Sequence, residues 1–319
     1  MVVVASGDSI FYREKGFDPG TRFLADMRSL FLSFLLFGVS DSFAEPVKVY
    51  LLGGQSNMQG SGTLGTIEGE YPNEIPGCQF HSKKGLVPYQ PGKIATAGNV
   101  KRFGPELGMA LQLTESEKPA VFIKYALGGM PLHPGWDGNK WLGEPVQGGR
   151  RNFFPGLTAE DPKQGALYQN MLQEFRDGLA AVKAAGDEPV VAGFFWMQGE
   201  QDSKHETSAT SYAQNLALLR DRLQADLGLT DKLPLVFGQV LPHEPALARF
   251  THRDEVRQQM AHSDQNSGTP EAIPMARMVS TDGFSLLKDT VHYDSKGQMQ
   301  LGKAFLTGLR SLDSDQVAD

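Results

Sequence analysis

The stretch Val49-Tyr-Leu-Leu-Gly-Gly-Gln-Ser-Asn-Met58 decides how the rest of the chain reads. Its apolar opening has the composition of a buried strand, and the glycine pair that follows breaks it. A serine comes directly after the break. Strand, tight turn and serine together carry a hydroxyl to the carboxyl edge of an α/β sheet, where such sheets bind their ligands. The spelling departs from the G-x-S-x-G elbow, because Met58 stands where the last glycine would be. Gly-Gln-Ser-Asn also suits an ordinary turn, since glycine and asparagine tolerate positive φ. The reading of Ser56 therefore depends on what lies downstream.

Composition narrows the field. With 319 residues, 40% hydrophobic and 21% charged, the chain has the make-up of a soluble globular protein. A net charge of -7 and a pI near 5.6 argue against nucleic acid, which rewards clustered Lys and Arg. Cys78 is the only cysteine, so neither an internal disulfide nor a thiolate metal cluster can form. It reads as a small buried side chain. Met27-Arg-Ser, the apolar run Leu30–Val39 and Ser42-Phe-Ala44 have the layout of a secretory signal over residues 27–44. The run is too short to span a bilayer. Cleavage after Ala44 is expected, with a secreted or periplasmic product that keeps no membrane attachment. Residues 1–26 carry no fold signal and read as an upstream extension.

From residue 45 onward strands and helices alternate, and one domain over 45–319 is expected. Buried-type strands are predicted at Val47–Leu52, Pro119–Tyr125, Pro189–Trp196, Leu235–Val240 and Met275–Ser280. Helical spacing marks Pro105–Leu113, Tyr168–Ala185, Ser211–Leu227, Asp254–Ser263 and Lys296–Leu312. Residues 59–100 read as loop, and 130–163 as a long loop rich in Gly, Pro and Trp. Loops of that length inside a domain tend to be functional. The alternation implies an α/β fold with a mainly parallel sheet covered on both faces.

Four blocks then fall at the carboxyl ends of strands. The first holds Ser56. The second, Lys124-Tyr-Ala-Leu-Gly-Gly129, runs a strand into glycines whose N–H groups can face a ligand. The third, Trp196-Met-Gln-Gly-Glu-Gln-Asp202, ends a buried strand in a dense set of polar groups. The fourth, Asp289-Thr-Val-His-Tyr-Asp294, spaces Asp and His so that a carboxylate can hold one ring nitrogen while the other faces a serine. No other His/Asp grouping is tight enough to suggest a metal site.

In this order the blocks resemble the SGNH superfamily, and within it the sialate O-acetylesterase and acetylxylan esterase group, similar to carbohydrate esterase family 6. The resemblance rests on Gly54-Gln-Ser-Asn-Met58, Phe103-Gly-Pro-Glu106, Lys124–Gly129, Trp196-Met-Gln-Gly-Glu200 with Asp202, and Asp289-Thr-Val-His292 with Gly297. It covers residues 47 to about 306 and implies a three-layer α/β/α fold with a flavodoxin-like, doubly wound sheet. It also implies Ser56 as nucleophile and His292 as its base, with Asp289 or Glu200 as the acid. Ser56, Gly128, Gly129 and the Gln198 amide would form the oxyanion hole. Gln55, Asn57, Trp136 and Asp202 are the substrate-binding candidates, Trp136 joining Trp141 and Phe153 as flat faces for a sugar ring. The implied activity is removal of O-acetyl groups from a carbohydrate with no cofactor and no metal. Xylan, sialic acid and algal polysaccharide all remain open as the sugar. A lipase or thioesterase would keep the fold with another acyl group, although no long apolar lid segment is visible. A binding protein without turnover is disfavoured by the intact serine, histidine and acids. Two positions depart from the family pattern: Met130 and Gln201 stand where Thr or Ser is usual. Either could reshape the pocket.

Overall fold

The computed structural model describes residues 46–67, 71–93, 101–113 and 120–316. The expected signal segment and the upstream extension lie outside the described residues. Strand β1, Pro46–Gly54, is buried at every position from Val49 on. Burial on both faces is what a continuous apolar strand in the middle of a parallel sheet requires. The strand is flanked by β6 (Ala120–Ala126) and β9 (Glu188–Met197), both parallel to it. Beyond β9 lie β10 (Leu235–Gly238) and β11 (Ala276–Val279), giving the order β11-β10-β9-β1-β6-β3-β4.

The last two members of that sheet fall where the sequence reads as loop. Cys78–Ser82 forms β3, parallel to β6, and Gly85–Pro88 forms β4, antiparallel at the edge. The inward residues of β3, Cys78 and Phe80, are separated by a single exposed glutamine. An alternation that short is a weak period-2 signal. Short ladders also occur outside this sheet, β2 with β5 (Gly62–Thr63, Arg102–Phe103) and β7 with β8 (Trp136–Asp137, Lys140–Trp141).

Helices cover both faces. On one lie α3 (Ala166–Ala184) and α5 (Tyr212–Asp226), on the other α2 (Pro105–Leu113) and α7 (Ser295–Gln316). The pleat of β9 sorts its aromatics between them: Phe194 meets Phe175 of α3 at 6.1 Å, and Phe195 meets Phe305 of α7 at 5.5 Å. Between α5 and β11 sits α6, Arg253–Ser263. Helices α2 and α7 touch backbone to backbone, because a side chain at Gly302 would overlap the carbonyl of Pro105.

The chain winds to one side of β1 first and to the other side from β9 on. The carboxyl ends of β1 and β9 therefore flank the crevice at which a doubly wound sheet places its ligands. Gly54 ends β1 there at φ +146°, with the Met197 carbonyl where a Cβ would be. The next residues turn into the single-turn helix α1, Ser56–Gln59, so Ser56 starts a helix where a loop is expected. Beneath α1 is a buried ion pair. Lys124 of β6 donates to Glu106 of α2 at 2.7 Å and to the Gln59 carbonyl at 3.0 Å, while Glu106 accepts from the Gly104 N–H at 2.8 Å. Burial lowers the pKa of Lys124, with the Glu106 charge opposing that shift.

This pair gives a direct test. Glu106→Gln leaves the Lys124 ammonium buried without its counter-charge and is expected to cost about 3–5 kcal/mol in urea denaturation. The double replacement Glu106→Gln/Lys124→Met should recover part of that loss.

Candidate active site

Ser56 and His292 meet across the crevice. The Oγ of Ser56 lies 3.0 Å from Nε2 of His292, whose Nδ1 lies 2.6 Å from Oδ2 of Asp289. The other carboxylate oxygen of Asp289 accepts the N–H groups of Val291 and His292 at 2.9 and 3.0 Å. The three-residue spacing thus closes a small loop in which one acid holds both the ring and the backbone of its histidine. Thr290, inside this loop, takes φ +58°, a strained setting for a β-branched residue. Burial alone would raise the Asp289 pKa. The bonds from the His292 ring, its N–H and the Val291 N–H outweigh burial and hold it at about 2. A carboxylate can only accept, so Nδ1 carries the proton and Nε2 is free to receive one from Ser56.

Asn57 registers the two halves. Its amide nitrogen donates to Oε1 of Glu200 at 2.7 Å and to the Val291 carbonyl at 3.0 Å, and its oxygen accepts the Tyr293 N–H at 3.1 Å. Val291 and Tyr293 are the chain neighbours of His292. Asn57, a substrate-binding candidate in the sequence, is buried with its amide fully engaged in positioning these groups. Glu200 is held through Asn57 and makes no bond to the imidazole. Burial raises its pKa, against the Asn57 bond and the nearby His292.

Three more candidates from the sequence lie in buried, bonded surroundings. The Gln198 side chain is fully buried, with Nε2 2.6 Å from Oδ2 of Asp202, 3.1 Å from the Met130 carbonyl and 3.3 Å from Oε1 of Gln55. Its carbonyl oxygen accepts from the Tyr212 hydroxyl at 3.2 Å. This amide is engaged inside the protein at every polar atom. Asp202 is also fully buried, accepting the Leu132 and His133 N–H groups at 2.8 and 3.0 Å as well as Gln198. It anchors the start of the 130–163 loop. Trp136 donates to Ser208 at 3.0 Å and is buried, Phe153 packs on Trp196, and Trp141 is covered by a stacked His205 at 3.6 Å. These aromatics pack the loop.

What remains open is a cavity of about 430 Å³ lined by Gln55, Ser56, Gly128, Gly129, Glu200 and His292. Gly128 lies against the serine, where an added Cβ would sit 3.5 Å from the Cβ of Ser56. Gly129 turns away at φ +70°. No hydrogen bond within the described residues occupies the N–H of either glycine. Gln201, Lys204, Arg249 and Phe250 also line it. Of these, only Gln201 stands out in the sequence. Arg249 and Phe250 belong to the connection after β10, and following a strand's carboxyl end was the one signal that could have found them.

A family model described as "Carbohydrate esterase, sialic acid-specific acetylesterase" matches residues 46–310. No curated protein matches the chain. Among solved structures, a protein from Arabidopsis thaliana superposes with TM-score 0.59 at 19% identity over 84% of this chain and 99% of its own. NanS gives TM-score 0.55 at 15% identity, over 86% of this chain and 99% of its own. A carbohydrate acetylesterase from Xanthomonas citri gives 0.50 at 16% identity, over 84% of this chain and 56% of its own. At these identities the likeness is one of fold.

The Asp202 hub gives a prediction about pH. Burial pushes its carboxyl up to about 6, with the Leu132, Gln198 and His133 donors only partly offsetting the shift. The folded pKa lies above the unfolded one, so its contribution to stability is full below about pH 4 and is lost as pH rises through about 6. Denaturation of wild type and Asp202→Asn between those limits should show a steeper negative slope in wild type. Parallel profiles would contradict it.

Proposed function

The chain belongs to the family of sialic acid-specific acetylesterases among the carbohydrate esterases, which makes it a carboxylic-ester hydrolase of acetylated carbohydrate, and we propose that it works through an acetyl-enzyme on Ser56. The carrying observation is the unbroken array from Ser56 Oγ through His292 to Asp289. A hydroxyl is a poor nucleophile until a neutral imidazole takes its proton. His292 Nε2 accepts that proton as Oγ attacks the acetyl carbonyl, and Asp289, charged above about pH 2, stabilises the imidazolium that forms.

Negative charge then builds on the carbonyl oxygen. The Ser56 N–H at the start of α1 and the glycine N–H groups beside it are the donors on hand, each worth about 3–4 kcal/mol in comparable sites. The His292 proton passes to the departing sugar oxygen. Water, activated by the same nitrogen, then attacks the acetyl group and releases acetate. Glu200 acts in this scheme through Asn57, which holds the backbone on both sides of His292. The signal-like segment at 27–44 supports export as the setting in which the enzyme meets its substrate.

Acetate release from 4-nitrophenyl acetate and from an O-acetylated sialic acid tests this. Ser56→Ala should abolish release, and Asp289→Asn should lower kcat by about 10⁴-fold, as loss of the acid does in serine triads. Glu200→Gln, which keeps an acceptor for Asn57, should cost far less. A Glu200→Gln loss as large as that of Asp289→Asn would overturn the division of roles, and an active Ser56→Ala would overturn the nucleophile.

A further inference from the structure

A second cavity, of about 590 Å³, opens around the turn that joins β3 to β4. It shares no lining residue with the catalytic cavity. Strand β3 lies two places from β1 in the sheet, which sets the turn about 10 Å to the side of the serine strand. Lys124, whose ammonium holds the Gln59 carbonyl of α1, forms part of the wall.

Lys83 and Lys84 fill the two central positions of the turn, and Lys93 lines the same cavity. All three are exposed, and none is in an ion pair among the described residues. The turn itself needs neither of its lysines. Gly85 takes the positive φ of +86°, and the Ser82 hydroxyl donates to the Gly85 carbonyl at 3.1 Å and accepts the Lys84 N–H at 3.2 Å. Lysines that guard a sheet stand on its edge strand, whereas β4, Gly85-Leu-Val-Pro88, carries a proline there and no lysine. Three like charges gathered in a chain of net charge -7 therefore have no task in the turn or at the edge.

His81 and Glu174 of α3 complete the polar lining. Nδ1 of His81 lies 2.8 Å from Oε1 of Glu174, and nine-tenths of the His81 side chain is buried. Its Nε2 has no partner among the described residues. Lys124 is balanced by Glu106 behind it, so the three free lysines against the one carboxylate of Glu174 leave two positive charges over. A phosphate monoester brings up to two negative charges and three acceptor oxygens in a single group. A sulfate ester presents the same tetrahedral oxygens with one charge. Lysine receives either as a point charge, without the planar match that arginine offers a carboxylate. The volume is that of a pocket for a whole small molecule and exceeds what an inorganic anion fills. Phe80 and Val87 supply an apolar wall, and the imidazole and carboxylate beside it suit hydroxyl groups.

We propose that this cleft is a second binding site, for a saccharide carrying a phosphate or sulfate ester, separate from the place where the acetyl ester is cleaved. The assignment goes beyond the esterase reading and does not depend on it.

Calorimetric titration of the wild-type protein with glucose 6-phosphate, glucose 6-sulfate, glucose and inorganic phosphate tests it, at about pH 7.5 where the phosphate ester is a dianion. At least one of the two sugar esters should bind about tenfold or more tightly than both glucose and inorganic phosphate. That affinity should fall between about 0.05 and 0.5 M NaCl. Lys83→Gln/Lys84→Gln/Lys93→Gln, three exposed replacements, should weaken it by about tenfold or more. Lys204→Gln/Arg249→Gln, in the catalytic cavity, should leave it within about twofold. Tighter binding of the phosphate supports a phosphate ester as the group recognised, and equal or tighter binding of the sulfate supports a sulfate ester. Binding of neither ester, inorganic phosphate binding as well as the esters, or a loss in the Lys204/Arg249 variant in place of the triple one would each overturn the site. Acetate release from 4-nitrophenyl acetate reads the hydrolytic proposal separately, since none of these ligands carries an acetyl group.

Discussion

The active geometry depends on the side-chain amide of Asn57. Its three bonds reach Glu200 at the end of β9 and the backbone on either side of His292, more than 230 residues away in sequence. Ser56 is the adjacent residue, so the distance from nucleophile to base follows from where this amide sits. A buried amide with every polar atom engaged is rigid in a way an exposed one is not, and losing one partner strands the others away from water. Rotation of the His292 loop would break bonds on both sides of the ring at once. The strained Thr290 is tolerated inside the same loop because its ends are fixed.

Two polar hubs of opposite sign give the long loop after β6 its shape. Asp202 gathers N–H groups at its beginning, from Leu132 and His133. Arg150 gathers carbonyls further on, from Pro134, Gly143 and Pro145 at 2.8–3.0 Å. Neither residue lines the cavity, and together they supplement the one short β7–β8 ladder of this segment. Such a loop can be long without being loose.

Much of this was legible in the sequence, and what was missed follows a pattern. The apolar runs at Val49, Val121 and Phe194 mark the three central strands, because burial on both faces leaves no room for polar residues. The serine and the Asp-x-x-His could be placed since each sits just past an apolar element. Gln198, Asp202 and Asn57 read as ligand-facing in the sequence, and the structure engages them with buried protein partners. A polar residue at a strand end has the same letter whether it turns outward or is consumed by buried backbone groups, and only packing tells the two apart. Trp136 is placed likewise, with its indole N–H donated to Ser208. Strand β3 was hidden by its shortness. Lys204, Arg249 and Phe250 were invisible because nothing in a residue's type says which strand its loop will lie beside.

The placement of β1 has a consequence for how the protein is made. Among the described residues it is the first strand synthesised and the central one in the finished sheet, and both of its neighbours come later in the chain. Ser56 therefore leaves the ribosome long before β9 or the histidine loop exists, and pairing over such separations is slow. On the proposed mechanism the nascent chain is inert as an esterase until residue 292 has emerged. Any chain truncated before that point carries a serine with nothing to take its proton.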